Sequence, residues 1–369
     1  MRVCYFHNPA VAGSFHGYEL STLDPAPYFL GKVPRPWRVR AQLRFRALFS
    51  AKGVDTLYRE RDPAYMRFVS DFVDAYRDAS VIILATYNPI HPEILRRQLA
   101  RPTKILGFID DPYSTYVRGI PYLWAFDGAF YISPSYDENH LFADALREWG
   151  CRAATWLPLV PHRHPHFEPT EEFFLARDID VVYVGAGYGT KIARLAQLKQ
   201  HFGDRLRVHG RWALRGYMGW ARALTGKPIF PYRVSSLSNA ERRALYLRAK
   251  IGINMHMSGT PTETGNMRMY EVPAHGAMQI CDKAALNAHE LIFRPEVEAV
   301  FYDDVPDAIA KIEYYVAHPA ERLAIARAGF DRTRRDYDFE RVLKGLLDWA
   351  SGIQRSTTGE SSCSSTSTP

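Results

Sequence analysis

The strongest constraint on this chain's fold is a rhythm: short, unbroken apolar runs, each followed by a turn and then a helical pattern, in two successive series. The first series has runs at Arg2–Phe6, Ser80–Thr86, Thr103–Ile109 and Gly128–Ile132. VIILA and KILGFI are apolar throughout rather than alternating, as suits parallel strands covered on both faces. Between them His91–Ala100 reads as a helix with leucine and isoleucine on one face, and Tyr136–Trp149 reads as another. The second series has strands at Ile179–Val184, Leu206–His209, Ile251–Met255, Ala277–Cys281 and Ala299–Tyr302. Helical patterns fall between these at Thr190–His201, Asn239–Ala249, Met267–His275 and Val305–Ala317. Such alternation predicts doubly wound parallel sheets. The fold class is therefore α/β, with two facing Rossmann-like domains and a deep interdomain cleft.

Length agrees with two domains, since 369 residues exceed what one core usually organises. The Pro- and His-rich stretch Leu157–Pro169 reads as the linker, which sets a first domain at 1–160 and a second at 161–335. Two amphipathic helices, Pro319–Tyr337 and Phe339–Ala350, close the chain, and 336–355 is expected to cross back to the first domain. From Ser356 the sequence STTGESSCSSTSTP has no large apolar residue, so 356–369 is expected to be a disordered tail.

Cys4, Cys151, Cys281 and Cys363 are scattered, without close metal-ligand spacing, which fits a reducing cytoplasm better than a disulfide scaffold. MRVCYFHNPA reads as a strand rather than a signal peptide, and no apolar run approaches the roughly 20 residues that span a bilayer. The net charge of +7 favours anionic ligands without choosing among nucleotides, nucleic acid and acidic membranes.

The informative segment is Ile251–Asp282, which reads strand, polar loop, short helix, glycine turn, strand. The loop Ser258–Asn266 faces the unpaired amides of a helix start, a ready anion site to which Arg268 adds charge. Glu263 and Glu271 flank that start, and carboxylates suit vicinal hydroxyls of a hexose or ribose. Their separation alone carries nothing, because Glu290/Glu298 and Glu313/Glu321 repeat it; those pairs read as solvated helix or loop positions.

In TETGNMRMYEVPAHGAMQICD the chain resembles group 1, family 4-like glycosyltransferases of the GT-B fold, in which two glutamates precede a small-residue helix and a glycine. The pattern Asn266, Arg268, Tyr270, Glu271, Gly276 is similar to the bacterial spore-maturation-protein branch. So are Asp110-Asp111-Pro112, the run Val181–Gly185 and the stretch RLAIARAGFDRTRRDYDFERVLKGLL.

The resemblance implies that Glu271 holds the ribose hydroxyls of a nucleotide diphospho-sugar and Glu263 a hydroxyl of its sugar. The backbone of Thr264, Gly265 and Asn266 would approach the diphosphate, and Gly276 would turn the chain after the helix. Lys191 and Arg268 would neutralise the diphosphate in place of a metal, with no cofactor beyond the co-substrate; many members carry arginine where Lys191 stands. His209 and Gly210 would border the base. The implied reaction moves a sugar to an unidentified acceptor with retained anomeric configuration.

Asp110 and Asp111 follow a strand at the edge where open α/β sheets bind ligands, so they are candidate catalytic residues, for hydrogen bonding rather than metal binding. The loop His7–Gly17, with Gly13 and Ser14, is expected to line the cleft.

Other motifs read more plainly. Gly185–Gly189 lacks the third glycine and the following acid of a dinucleotide fingerprint. Asp178-x-Asp180 and Asp336-x-Asp338 read as capping, and His162-x-His164-x-His166 as a solvated run. The basic stretches Lys32–Arg46 and Arg205–Arg222 read as amphipathic helices with arginines outward. The rival readings are a nucleotide-sugar epimerase of the same fold and a non-catalytic protein that binds nucleic acid or membrane through those stretches.

Overall fold

The computed structural model describes residues 1–5, 12–24, 63–85, 90–109, 119–132, 141–160, 170–187, 190–210, 230–232, 234–256, 265–284 and 288–359. The chain divides into two compact units. One is built from Met1–Ile132, Asn139–Leu157 and the chain from Leu343 onward; the other is Ser133–Glu138 with Pro158–Val342.

The first unit contains β1 (Arg2–Tyr5), β2 (Gly13–Phe15), β3 (Tyr18–Ser21), α1 (Pro63–Tyr76), β4 (Val81–Ala85), α2 (Pro92–Gln98), β5 (Thr103–Ile109), β6 (Gly128–Tyr131), α3 (Leu141–Glu148) and β7 (Ala153–Trp156). Its seven strands lie in the order β2-β3-β1-β4-β5-β6-β7. Every pairing is parallel except that of β2 with β3. Val81 to Ala85 are all buried, which accounts for the continuous apolar run: a central parallel strand offers neither face to water.

Part of the N-terminal loop is described in this arrangement. Gly13 and Ser14 stand in a β-hairpin at the sheet edge, and the Ser14 hydroxyl donates to Glu19 Oε1 at 2.5 Å. Residues 6–11 of that loop lie outside the described residues.

The second unit contains α4 (Glu171–Leu175), β8 (Ile179–Val184), α5 (Lys191–Phe202), β9 (Leu206–His209), α6 (Asn239–Arg248), β10 (Ala249–Asn254), α7 (Met267–Ala274), β11 (Met278–Asp282), α8 (Ala288–Ile292), β12 (Val300–Tyr302), α9 (Val305–Ala317) and α10 (Pro319–Asp336). Its wholly parallel sheet runs β12-β11-β10-β8-β9. One core cluster packs Val181, Tyr183, Ile251 and Ile253 against Leu195 and Leu198 of α5 and Ile312 of α9. A second joins Val182 and Val184 to Leu245 and Tyr246 of α6 and Val272 of α7. Helices therefore cover both faces, and both units are Rossmann-like.

The last helix, α11 (Phe339–Gly359), passes beyond Ser356, so the first residues of the expected tail are helical. Within the first unit Tyr18 donates its hydroxyl proton to Asp348 of this helix at 2.7 Å.

Other readings change with the structure. Asp178 binds Arg248, and Asp180 bonds Lys250 at 2.7 Å and Arg205 at 3.0 Å, so both form ion pairs rather than caps. Asp336 pairs with Arg332, whereas Asp338 does cap α11 through the amides of Glu340 and Arg341. Glu298 is buried at 2% exposure and bound by Arg294, not solvated. Glu313 pairs with Arg205 and His201. The second basic stretch begins as the strand β9 rather than as a helix.

Candidate functional site

Strand order fixes where the second unit binds a ligand. Chain connections leave β8 toward β9 on one side and β10 toward β11 on the other, so β8 and β10 flank the topological switch point. Helices on opposite faces diverge there and leave a crevice at the carboxyl ends. The residues just past those ends are Gly185, Asn254 to His256 and Asp282, with the start of α7 beside them.

Helix α7 is short and held at both ends. Asn266 caps it, its side-chain oxygen accepting from Met269 N at 3.3 Å. Its amide nitrogen donates to Asn254 Oδ1 at 3.0 Å, and Arg268 Nη1 donates to the same oxygen at 2.9 Å. The Arg268 guanidinium also lies 4.9 Å from the Tyr183 ring centroid, a cation–π contact. Gly185 packs close to this side chain: a Cβ on it would stand 2.5 Å from Arg268 Nη2 and 2.8 Å from the Tyr183 hydroxyl, so the arginine would have to move.

Glu271, on the next turn, is 4% exposed, and its Oε1 accepts from Arg242 Nε at 2.7 Å. Burial pushes its carboxyl above the usual range, against the pull of Arg242 and Arg268. Arg242 reaches it from α6, whose start is locked by the Ser238/Glu241 capping box.

At its other end α7 contains Pro273, which has no N–H for the carbonyl of Met269. The Gln279 amide, oriented with its nitrogen toward the helix, supplies the missing donor at 3.1 Å to Met269 O and 3.1 Å to Arg268 O. Gly276 then turns the chain with φ +70°, and a Cβ there would meet Phe173 at 2.5 Å. Arg177 closes this end by donating to the carbonyls of Tyr246, Ala249, Phe173 and His275.

The remaining expected residues are placed as follows. Lys191 opens α5 and is buried. His209 ends β9 with Nδ1 3.0 Å from Ser235 Oγ, and burial together with Arg207 lowers its pKa. Gly210 has φ +141° and packs on Gly185, whose oxygen a Cβ would approach to 2.0 Å. Gly265 precedes the cap with φ +71°. Glu263, Thr264, Asp110 and Asp111 lie outside the described residues, as do Lys32–Arg46 and His162–His166. Gly13 and Ser14 belong to the other unit.

The sequence reading missed Asn254, Arg242, Arg194 and a buried group behind the helix start. His256, Cys281, Asp282 and His289 bring ligand-type atoms within 4.8 Å of one another. Proton accounting shows how they are joined. His289 Nδ1 is 2.6 Å from the carbonyl oxygen of Asp282, which only accepts, so that nitrogen carries hydrogen. His256 Nε2 accepts the Asn266 N–H at 3.3 Å, so its Nδ1 carries hydrogen and donates to Asp282 Oδ1 at 2.9 Å. Hydrogen bonds thus join His256, Asp282 and the Nδ1 side of His289, while the buried His289 Nε2 has no partner among the described residues. Burial raises the Asp282 carboxyl, but His256 outweighs this and holds it at about 2. Burial and then His256 lower His289 to about 3.

The family model described as Glycosyl transferase-like matches residues 192–348. Among curated proteins, no sequence matches the chain. Solved structures with similar folds include an alpha-glucosyltransferase in complex with UDP-glucose and abasic-site DNA (TM-score 0.62, 10% identity, 95% of this chain and 99% of that one). Another is sucrose-phosphate synthase from Thermosynechococcus elongatus (0.55, 12%, 96% and 99%). A third is HepE from Anabaena with UDP and glucose (0.53, 13%, 91% and 87%). At such identities the structural likeness speaks for the fold, which is GT-B, while the family match carries the activity class: the chain is a glycosyltransferase.

Proposed function

We propose that the second unit binds a UDP-sugar and that the enzyme transfers its sugar to an acceptor without a metal and with retained anomeric configuration. The observation that carries this reading is Glu271: a buried carboxylate at the switch point, one oxygen taken by Arg242, its charge flanked by Arg268. Such a group suits paired ribose hydroxyls, which donate to a carboxylate in a bidentate manner. Arg268 and Lys191 supply positive charge for the departing diphosphate, the work a divalent ion does elsewhere. Glu263 and the Thr264–Asn266 backbone take the sugar side, and His209 with Gly210 the base. Asn266, Arg268, Tyr270, Glu271 and Gly276 favour the spore-maturation-protein branch. Neighbours solved with UDP-glucose or with UDP and glucose support the choice of UDP.

The test is nucleotide release from a panel of UDP-sugars, with and without EDTA, by the wild type and by Glu271→Ala and Glu263→Ala. Activity that persists in EDTA and collapses in the variants is expected. Full activity in both variants would refute the site, and an absolute requirement for a divalent ion would refute metal independence.

One observation bears on the acceptor. Residues 25–62 carry nine basic and three acidic side chains, which is most of the chain's net charge of +7. That composition favours an anionic acceptor, and one structure of similar fold was solved in complex with DNA. Acceptor KM should then rise steeply with salt; a salt-independent KM would exclude it.

A further inference from the structure

The Asn266 amide is expected to approach the donor, yet its hydrogen points at a histidine, and that histidine is fixed at every polar atom. His256 N donates to Asp282 Oδ2 at 2.8 Å, and His256 O accepts from Arg194 Nη2 at 2.8 Å. Arg194 Nη1 reaches Asp282 Oδ2 at 3.2 Å, so one arginine from α5 ties the ends of β10 and β11 together. The ring donates Nδ1–H to Asp282 Oδ1, which leaves Nε2 as an acceptor for Asn266 N–H. His256 and Asp282 are both buried.

We propose that His256 is a positioning residue for donor binding: through Nε2 it holds the Asn266 amide, on the sugar side of the site, and sets the start of α7. This rests on the donor-site reading above. The two residues it joins are ten apart in sequence, and the Asn254–Asn266 bond beside it spans twelve. These two bonds fix Asn266 before a ligand arrives, so sugar binding need not order it. Asp282 selects the tautomer, because a carboxylate accepting at Nδ1 keeps the proton on that nitrogen and leaves Nε2 bare. A positively charged or Nε2-protonated ring would turn a second donor toward the Asn266 amide. The groups that face the ring are the carboxylate of Asp282, the Cys281 thiol at 4.0 Å from Nδ1, the His289 ring at 4.1 Å between centroids, and Arg194 at the backbone oxygen.

Two amide substitutions separate the two ring nitrogens. His256→Asn keeps a donor near the Nδ1 position, toward Asp282, but is too short to reach Asn266. His256→Gln places an acceptor near the Nε2 position. Steady-state kinetics with UDP-glucose or the best UDP-sugar, calorimetric binding of UDP alone, and melting temperature are measured for both. His256→Asn should raise the UDP-sugar KM about tenfold, with a smaller change in kcat, in UDP affinity and in melting temperature. His256→Gln should recover most of that loss. An unchanged KM in His256→Asn, or an equal loss in both variants, would overturn the proposal. A wild type that neither binds nor turns over any UDP-sugar would instead overturn the donor-site reading beneath it.

Discussion

The two ends of helix α7 are both held by arginines, and they are held differently. At the carboxyl-terminal end Arg177 spends its donors on four main-chain carbonyls, from Phe173, Tyr246, Ala249 and His275. At the amino-terminal end Arg268, Arg242 and Arg194 bond mainly to side chains: Asn254, Glu271, Asp282 and Thr190. Main-chain carbonyls cannot change partner without unfolding something. Carboxylates and amides at a sheet's carboxyl edge can share their lone pairs with a ligand. The same residue type therefore serves the fold at one end of eight residues and is available to chemistry at the other.

The largest effect should come from breaking the structural end. Arg177→Ala removes hydrogen bonds to four main-chain carbonyls, of which Tyr246 O keeps the Ala249 N–H; at roughly 1–3 kcal/mol for each of the others, a loss of about 4 kcal/mol in denaturant unfolding is expected. A loss below about 1 kcal/mol would erase the distinction between the ends. Glu271→Gln attacks the other end. Its amide oxygen still accepts from Arg242, so melting should barely move, while kcat/KM for a UDP-sugar should fall about 100-fold, or about 2.7 kcal/mol of transition-state stabilisation. A large melting shift with unchanged kinetics would reverse the assignment.

The pH dependence tests both ends together. Burial holds His289 at about 3 and His275 at about 4, below the ordinary 6.5 of an unfolded chain. Between those values the unfolded state binds more protons, so this stability is complete above pH 6.5 and drains as pH falls toward 4 and then 3. Each proton contributes a slope of about 1.4 kcal/mol per pH unit. Melting curves from pH 7 to 4 should flatten in His289→Asn and His275→Asn, which keep a donor at the Nδ1 position without titrating. Unaltered slopes would show that these rings are not the source. Smaller still is Asn266→Ala, with loss of the cap expected to cost about 1 kcal/mol and to raise donor KM several-fold.

The ladder of strands was readable because central parallel strands leave unbroken apolar runs, and Ile179–Val184 and Leu206–His209 have the expected limits. The hairpin β2–β3 was not, since three- and four-residue edge strands such as GSF and YELS carry no sustained period. Within the candidate site, α7 with Asn266, Arg268, Glu271 and Gly276 was legible as one local motif. Arg242 was not: it lies 29 residues before Glu271 and is brought there by the β10 crossover. The signal available was that a buried carboxylate needs a cation, with Arg242-Arg243 on the preceding helix as the nearest supply. Cys281 reads as a lone thiol, and only the sheet places it beside His256 and His289.

Pro273 and Gln279 belong together in this site. A proline inside a helix removes a donor, and an amide six residues later, on the neighbouring strand, returns one to Met269 O. Without Gln279 the Met269 carbonyl loses that donor, and with alanine at 273 a backbone N–H is available to it again. A double-mutant cycle on Pro273→Ala and Gln279→Leu should show coupling of about 1 kcal/mol, with the double variant less damaged than the sum of the singles. The proline and the glutamine thus form one structural unit.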